Sequence, residues 1–397
     1  MIIVELILIV SLTVLSVLTL YLVLLALAYF LHRPGKGYEP CAPEMRFAVI
    51  VPAHNEAAGI GVTLKSVKSL DYPAPLYEAV VVADNCSDAT AAVVRAEGMR
   101  CLERNDSAKR GKGHALDYAI SLLLGEQFDA FIVLDADSVL DRNFLNVMNS
   151  RMLAGQQVIQ AYDGIANPDA SPLTYVFLVG NSIENRLFYE AKARLGLSVN
   201  LRGNGMCFAR NVFVEHPWTA YSIVEDVEYG LRLIKEGLPI SFASETAVLA
   251  RQPETLEQAH TQRVRWASGS MKVSKTYAFR LMIEGLHAQD RTLFDAGLTL
   301  AALSKPLLLL LSLAAVAAAL LYQGGGYERG AVYAGWALLL LGTQVAYLLT
   351  GVLLERLTAR RALFLLSSPI LILWFFFITV LGIARYRSSL WLRTKRV

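Results

Sequence analysis

The chain has 397 residues, 55% of them hydrophobic, and a mean hydropathy of +0.43, too apolar for an ordinary soluble enzyme of this size. Its 37 Lys plus Arg stand against 34 Asp plus Glu, a net charge of only +3, and the basic residues gather at the edges of apolar runs. That balance argues against nucleic acid as a partner and asks where a membrane enters.

Residues 4–31 run almost without charge, long enough to cross a bilayer, and Arg33 and Lys36 follow directly. The run reads as an uncleaved anchor: its apolar core outlasts a signal peptide's, it starts with Glu5 instead of a basic segment, and no small-residue cleavage site is evident. Further apolar runs occupy 298–321, 331–354 and 362–384. The composition divides the chain into an N-terminal transmembrane anchor (1–37), a water-facing domain (38–290), and C-terminal interfacial and transmembrane helices with a basic tail (291–397). The positive-inside rule puts the middle domain on the cytoplasmic face of the cytoplasmic (inner) membrane. Cys41, Cys86, Cys101 and Cys207 fit that compartment as free thiols. Three simple crossings after the domain would leave the basic tail outside, against the same rule, although 355–361 (ERLTARR) and the tail both favour the inside. One way out is that 293–321, broken by Lys305 and Pro306, lies partly in the interface or forms a re-entrant pair.

Within the middle domain, Met45–Val51 reads as a strand broken by Pro52, followed by His54, Asn55 and Glu56 and then a helical pattern through Leu64, Val67 and Leu70. His54 and Glu56 fit a ligand-recognising loop and a helix cap equally. The unit repeats: Leu76–Ala83 is a strand ending in Asp84, with Asp88 placed to cap the next helix. Asp84 at that strand end can accept hydrogen bonds from a base or a ribose. Cys101–Arg104 leads to Lys109, Arg110 and Lys112 beside two glycines at a helix start, an arrangement that suits phosphate and also a solvated basic turn. It is neither a Walker A loop nor a dinucleotide fingerprint.

Phe131–Leu134 is a short buried strand with Asp135 and Asp137 at its end. Two carboxylates one residue apart there can share a magnesium or manganese ion, or be solvated turn residues. A helix from about Arg142 to Ala154 and a strand over Gln156–Tyr162 follow, and Pro168–Leu197 has helical spacing. The glycines around Asn204 let backbone pass close to a ligand or simply turn. Glu225 and Asp226 open a helix running to about Lys235, as caps or with one carboxylate facing a pocket as a general base. Ser241–Leu249 is a strand, and Thr255 begins a helix bearing Gln262, Arg263, Arg265 and Trp266, a set suited to a diphosphate and a sugar face or to a membrane-surface belt.

Together, VPAHNE (51–56), ADNCSD (83–88), DAD (135–137), VED (224–226) and QRVRW (262–266) resemble the membrane-embedded family-2 glycosyltransferases of the cellulose synthase, hyaluronan synthase and poly-N-acetylglucosamine synthase type, with some likeness to ceramide glucosyltransferases. The likeness covers about 45–270. It implies an α/β fold: a GT-A-type nucleotide-sugar domain with a mixed, mostly parallel sheet, inserted between transmembrane helices. It implies that Glu56, Asp84, Lys112, Asp135 and Asp137 serve the nucleotide sugar, Asp84 at the uracil and Asp135 with Asp137 at Mg2+ or Mn2+. By the same likeness Asp226 is the general base, and Glu225, Gln262, Arg265 and Trp266 line the diphosphate and acceptor site, Arg265 also offsetting leaving-group charge. Ala83, Asn85 and Val224 depart from the commonest family form, which bears on the nucleotide and on processivity.

The activity expected is inverting, metal-dependent transfer from a UDP-sugar to a growing cell-envelope or extracellular polysaccharide, with an export or assembly partner. The alternative is transfer of one sugar to a membrane lipid. A reading of another class, a non-catalytic nucleotide-binding scaffold or transporter, predicts that replacing Asp226 leaves function intact.

Overall fold

In hydrocarbon an apolar chain can satisfy its backbone only within itself, which makes long apolar runs helical. The computed structural model describes residues 2–32, 39–302 and 304–385, so Arg33, Lys36 and the basic tail after Arg385 lie outside the described residues. Ile2–Leu31 forms α1, 30 residues long and apolar enough to span a membrane.

The water-facing domain then alternates strands and helices: β1 (Phe47–Ala53), α2 (Ile60–Lys68), β2 (Tyr77–Asp84), α3 (Thr90–Ala96), β3 (Arg100–Arg104), α4 (Lys112–Leu123) and β4 (Ala130–Val133). β1 runs parallel to both β2 and β4, and β2 to β3, so their polar loops open at one carboxyl edge. Successive strand residues serve opposite cores: Ala48, Ile50, Val80 and Val82 face one, Phe47, Val49, Val51 and Val81 the other. Burial on both faces is why these strands read as continuous apolar runs instead of alternating ones.

β5 (Ser138–Leu140), α5 (Phe144–Leu153) and β6 (Val158–Ile165) follow, then one continuous helical run of α6 (Pro172–Ser182), a π-helical segment (Ile183–Glu190) and α7 (Ala191–Arg194). The domain continues through β7 (Met206–Ala209), α8 (Arg210–Glu215), α9 (Glu225–Lys235) and β8 (Ser241–Ala250). The eight strands form one sheet in the order β3-β2-β1-β4-β7-β6-β8-β5. It is mixed and mostly parallel, as expected, with β7 antiparallel to both neighbours and β5 antiparallel to β8. β5 has no counterpart among the predicted strands: three residues carry no period, and only pairing with β8 makes them a strand.

The helix predicted from Thr255 extends much further than Trp266, as α10 (Leu256–Ala288), opened by a capping box between Thr255 and Gln258. The apolar run 298–321 is divided. Its first part belongs to α11 (Arg291–Ala301), which folds back along α10, where Ser274 Oγ donates to the Leu300 carbonyl (2.9 Å). α12 (Lys305–Gly324) restarts with Ser304 as N-cap and Pro306 in its first turn, where proline costs no hydrogen bond. α13 (Gly330–Leu353), α14 (Ala359–Leu365) and α15 (Ser368–Arg385) complete the described chain.

Four of these helices, α1, α12, α13 and α15, are long and apolar enough to cross a membrane, which makes this an integral membrane protein. α1, α12 and α13 form a bundle knitted by Gln344, whose Nε2 donates to Thr19 Oγ1 (2.8 Å) and Ser312 Oγ (2.9 Å), and by Trp336 Nε1 to Ser16 Oγ (2.9 Å). At one end Tyr333 donates to Glu5 (2.7 Å). At the other the bundle meets the domain: Arg194 donates to the carbonyls of Tyr29 and His32, Lys305 pairs with Glu184, and Arg361 makes a two-pronged contact with Asp169 (2.7 and 2.9 Å). The basic linker 355–361 therefore lies on the domain's side. α15 packs along α10: Leu371 shares an apolar cluster with Ala259, and a Cβ on Gly382 would lie 2.6 Å from that of Ala267.

Candidate active site

The carboxyl edge of the sheet, the start of α9, the middle of α10 and the beginnings of α4 and α12 enclose one cavity of about 540 Å3. Nine of the ten predicted site residues line it: Glu56, Asp84, Lys112, Asp135, Glu225, Asp226, Gln262, Arg265 and Trp266. Asp137 does not: Ala136 turns the chain between the two aspartates, and Asp137 is half-buried beside the cavity.

At the strand-edge end, His54 Nδ1 meets the Asp84 carbonyl at 2.7 Å. His54 and Glu56 both line the cavity, and the Glu56 carboxylate also lies at the start of α2, 3.7 Å from a Cβ placed on Gly59, so the two readings of this loop meet in one place. Asp88 does cap, accepting from the Thr90 amide (3.0 Å). Asp84 is buried and held by Arg104 Nη1 at 2.5 Å and Asn85 Nδ2 at 3.0 Å. Arg104 was not singled out in the sequence, where it is the last residue of a short strand; the parallel register Asp84↔Arg104 brings it there.

At the centre, Lys112 Nζ donates to Asp135 and to the Gly203 carbonyl. The Asp135 amide donates to Asn204 Oδ1 (3.0 Å), so the glycine-flanked Asn204 orients the strand-end carboxylate. Burial opposes the charge on Lys112, but Asp135, Glu225 and Asp226 outweigh it and hold the ammonium above its ordinary range. Glu225 is buried and Asp226 half-buried at the first turn of α9. Burial raises both carboxyls, Glu225 further through Asp226, while Lys112 pulls each back. Backbone N–H groups at the start of α9 also lower both, those of Asp226 and Val227 acting on the Asp226 carboxyl, so the helix terminus and the cavity share these side chains. The outcome is a partly dehydrated carboxylate pair beside an ammonium, a setting in which a proton can be taken up near neutral pH.

The end nearest the bundle was mostly missed. The π-helical segment brings Glu184, Phe188 and Tyr189 to the cavity wall, opposite Val273 of α10, Thr299 and Leu300 of α11, and Lys305. π turns tend to mark functional sites, and an acid inside an apolar helical run (SIENRLF, 182–188) was the available signal. Asp163 and Arg202, also unanticipated, pair across the wall at 3.1 Å. Burial raises the Asp163 carboxyl against the pull of Arg202, with Asp135 and Asp137 adding to the rise, so three carboxylates feel one another here.

Residues 43–269 match the family described as "Glycosyltransferase like family 2". The chain belongs to that family. This member is 27% identical over 253 residues to the beta-monoglucosyldiacylglycerol synthase of Nostoc sp., covering 62% of this chain and 53% of that protein. It is 25% identical over 239 residues to the poly-beta-1,6-N-acetyl-D-glucosamine synthase of Staphylococcus aureus, covering 56% and 54%. The chain thus spans little more than half the length of these relatives. Its fold is similar to that of the mannosyltransferase PcManGT from Pyrobaculum calidifontis, solved in complex with GDP-Man and Mn2+ (TM-score 0.56, 18% identity, 85% of this chain and 99% of that one). The fold is a GT-A-like domain set between membrane helices.

Proposed function

We propose that this glycosyltransferase moves a sugar from a UDP-sugar to the hydroxyl of a membrane lipid at the cytoplasmic face, with inversion at the anomeric carbon. The observation that carries the lipid acceptor is the composition of the cavity along its length. It is charged and polar at the sheet edge; toward the bundle Phe188, Val273, Leu300 and Ala302 line it around the mutually paired Glu184 and Lys305, beside the first turn of α12. A lipid hydroxyl can reach Asp226 from that side while its chains stay in the bilayer. The bundle supports the same reading over the polymer favoured by sequence alone: its interior is closed by side-chain hydrogen bonds, and the cavity beside Gln344 and Tyr347 is about 10 Å3, room for a water and not for a sugar chain. The relatives include enzymes named for a glucolipid as well as for a polysaccharide.

Asp135 and Asp137 are suited to hold Mg2+ or Mn2+. Among the described residues no group of three or more His, Cys, Asp and Glu side chains is placed to hold a metal ion alone. Two carboxylates with the remaining positions left to diphosphate and water is the usual arrangement for magnesium at nucleotides, and Asp135 and Asp137 lie close enough together that both act on the Asp163 carboxyl. Bound there, the ion supplies charge neutralisation for the departing diphosphate. In this reading Asp84 and Glu56 face the nucleoside, while Lys112 and Arg265 add positive charge at the diphosphate and orient it. Gln262, Trp266 and Glu225 shape the acceptor side. Asp226 takes the acceptor proton as the hydroxyl attacks opposite the leaving group, in one displacement. A nucleotide leaving group needs no second acid.

The cytoplasmic assignment rests on the basic linker 355–361, held to the domain by Arg361. α15, packed along α10, is read as lying in the interface instead of crossing, so that α1, α12 and α13 make three crossings and the basic tail stays inside. The division at residues 37 and 290 is retained, with α11 as the first interfacial helix.

The test is a radiolabel transfer assay on full-length protein in nanodiscs, with a panel of UDP-sugars, Mn2+ or Mg2+, and diacylglycerol or ceramide, separating organic-phase from high-mass product. One discrete labelled lipid, lost by roughly 100-fold or more in Asp226→Asn while UDP binding persists, is expected. Label in high-mass polymer refutes the lipid acceptor; turnover retained in Asp226→Asn refutes the base.

A further inference from the structure

Arg263 stands between Gln262 and Arg265 on α10, yet it does not line the cavity and the proposed chemistry gives it no part. Residues three apart on a helix share a face, which puts Arg263 beside Trp266. Its guanidinium carbon lies over the Trp266 ring, 4.7 Å from the centre, and over that of Phe177 on α6, at 4.0 Å. Phe177 in turn meets Phe375 of α15 edge-on, with ring centres 5.9 Å apart. These side chains form a column from α15 through α6 to α10, and Trp266 is the end that reaches the cavity.

The position is a costly one for a charge. Burial, and next the neighbouring Arg202, bring the Arg263 guanidinium down to about 9 against the weaker pull of Asp163. Among the described residues no carboxylate comes within ion-pair distance of it: Nη2 donates to Gln252 Oε1 (3.1 Å), and the buried Nε has no hydrogen-bond partner. A methionine would fill the same space against the rings without a charge to bury, so packing alone does not account for an arginine here. What a guanidinium adds is a flat, rigid cation that can lie against a ring on each face. Gln252 fixes its in-plane direction, being pinned to Asn167 by a pair of hydrogen bonds (2.8 and 2.9 Å).

We propose that Arg263 is a positioning residue for the acceptor: stacked on Phe177 and on Trp266, it fixes the plane that the Trp266 ring presents to the cavity. This role rests on the reading in which Trp266 shapes the acceptor side. Trp266 is 38% exposed, held on the Arg263 side and open toward the cavity, so the column sets its tilt. An indole plane takes the C–H face of a sugar or the apolar part of a lipid head, and either stacks on it only when the plane is correctly inclined. The same column lets α15 bear on the site without lining it, because Phe375 is its far end.

The test separates a loosened ring from a loosened fold. Full-length protein labelled with 5-fluorotryptophan gives a fluorine resonance for Trp266, assigned by its loss in Trp266→Phe and recorded in nanodiscs with UDP and Mg2+. Arg263→Met is expected to shift and broaden that resonance, because neither the cation nor the flat surface remains. With the acceptor varied, kcat/KM is expected to fall roughly 5- to 30-fold, while UDP affinity and the donor KM stay as in the wild type. The thermal midpoint is expected to hold or rise, since a cation without an ion-pair partner gives way to an apolar side chain. Arg263→Lys keeps the charge but not the plane and is expected to restore only part of the lost acceptor turnover. An unmoved resonance or unchanged acceptor kinetics in Arg263→Met overturns the role. So does a loss that runs in parallel with the thermal midpoint and UDP affinity, or full recovery in Arg263→Lys. If the wild type labels polymer instead of lipid, the lipid acceptor falls, and the same comparison run on polymer synthesis still decides on Arg263.

Discussion

Gly203 makes the placement of Asp226 open to direct measurement. It adopts φ +77, and a Cβ there would lie 3.1 Å from Asp226 Oδ2 and 3.4 Å from Lys112 Nζ. Gly203→Ala therefore imposes two separable costs. The left-handed backbone costs a residue with a Cβ about 1–2 kcal/mol. The side-chain contact requires the carboxylate to retreat by about 0.3 Å before it reaches ordinary van der Waals distance. Gly237, at φ +84 with nothing within 4 Å of its would-be Cβ, carries the first cost without the second. Both alanine variants are expected to lower the thermal midpoint by about 2–4 °C. Only Gly203→Ala is expected to lower kcat, by roughly three- to tenfold, since a misplacement of a full ångström costs about 100-fold. The assay is UDP release at saturating donor and acceptor, beside isothermal titration of UDP. Equal kcat in the two variants, or a loss confined to the donor KM, refutes the idea that this turn positions the base.

Three further outcomes follow from the same geometry. Lys112 holds the Asp226 carboxyl down against the rise that burial causes, so Lys112→Met should move the acid limb of the kcat/KM–pH profile upward, and an unmoved limb means that another group titrates. Burial, with Asp226 next, pushes Glu225 up to about 7, so the folded protein keeps a proton that the unfolded chain loses above about pH 4.3; this costs stability as pH rises across that window and the cost persists above it. Glu225→Gln should accordingly raise stability at pH 8 by about 1–3 kcal/mol and change little at pH 4, and equal shifts in thermal midpoint at both pH values would contradict the assignment. Gln344→Leu removes the bonds to Thr19 and Ser312 and should destabilise the bundle by roughly 0.6–2 kcal/mol in a detergent-unfolding titration, with donor affinity unchanged because Gln344 does not line the large cavity.

Much of the site was legible because each of its strand-edge residues follows a run that can only be a buried strand. Val49–Val51, Val80–Ala83 and Phe131–Leu134 announce parallel strands, and the rule that ligands bind beyond their carboxyl ends places Glu56, Asp84 and Asp135 in one cleft before any coordinates are known. The anchoring helices were legible for a similar reason, since length and hydropathy suffice to define a span. What stayed hidden depended on contacts distant in sequence. Arg104 meets Asp84 only through the register of β2 and β3, and Glu184 meets Lys305 across 121 positions. That Glu56 and Asp226 both line one cavity depended on where α2 and α9 begin, which composition leaves ambiguous by a residue or two. The break before Lys305 and Pro306 was legible, but the folding of α11 back onto α10 and the course of α15 along α10 were decided by packing, because hydropathy measures how well a segment tolerates lipid and says nothing of its direction. Sequence alone thus determined which charged residues gather at the edge of the sheet and the presence of spans apolar enough for a membrane. Only the tertiary structure decided how the two meet, at a cavity end beside α12 where apolar side chains surround the Glu184–Lys305 pair, because that junction is built from side chains that no local pattern brings together.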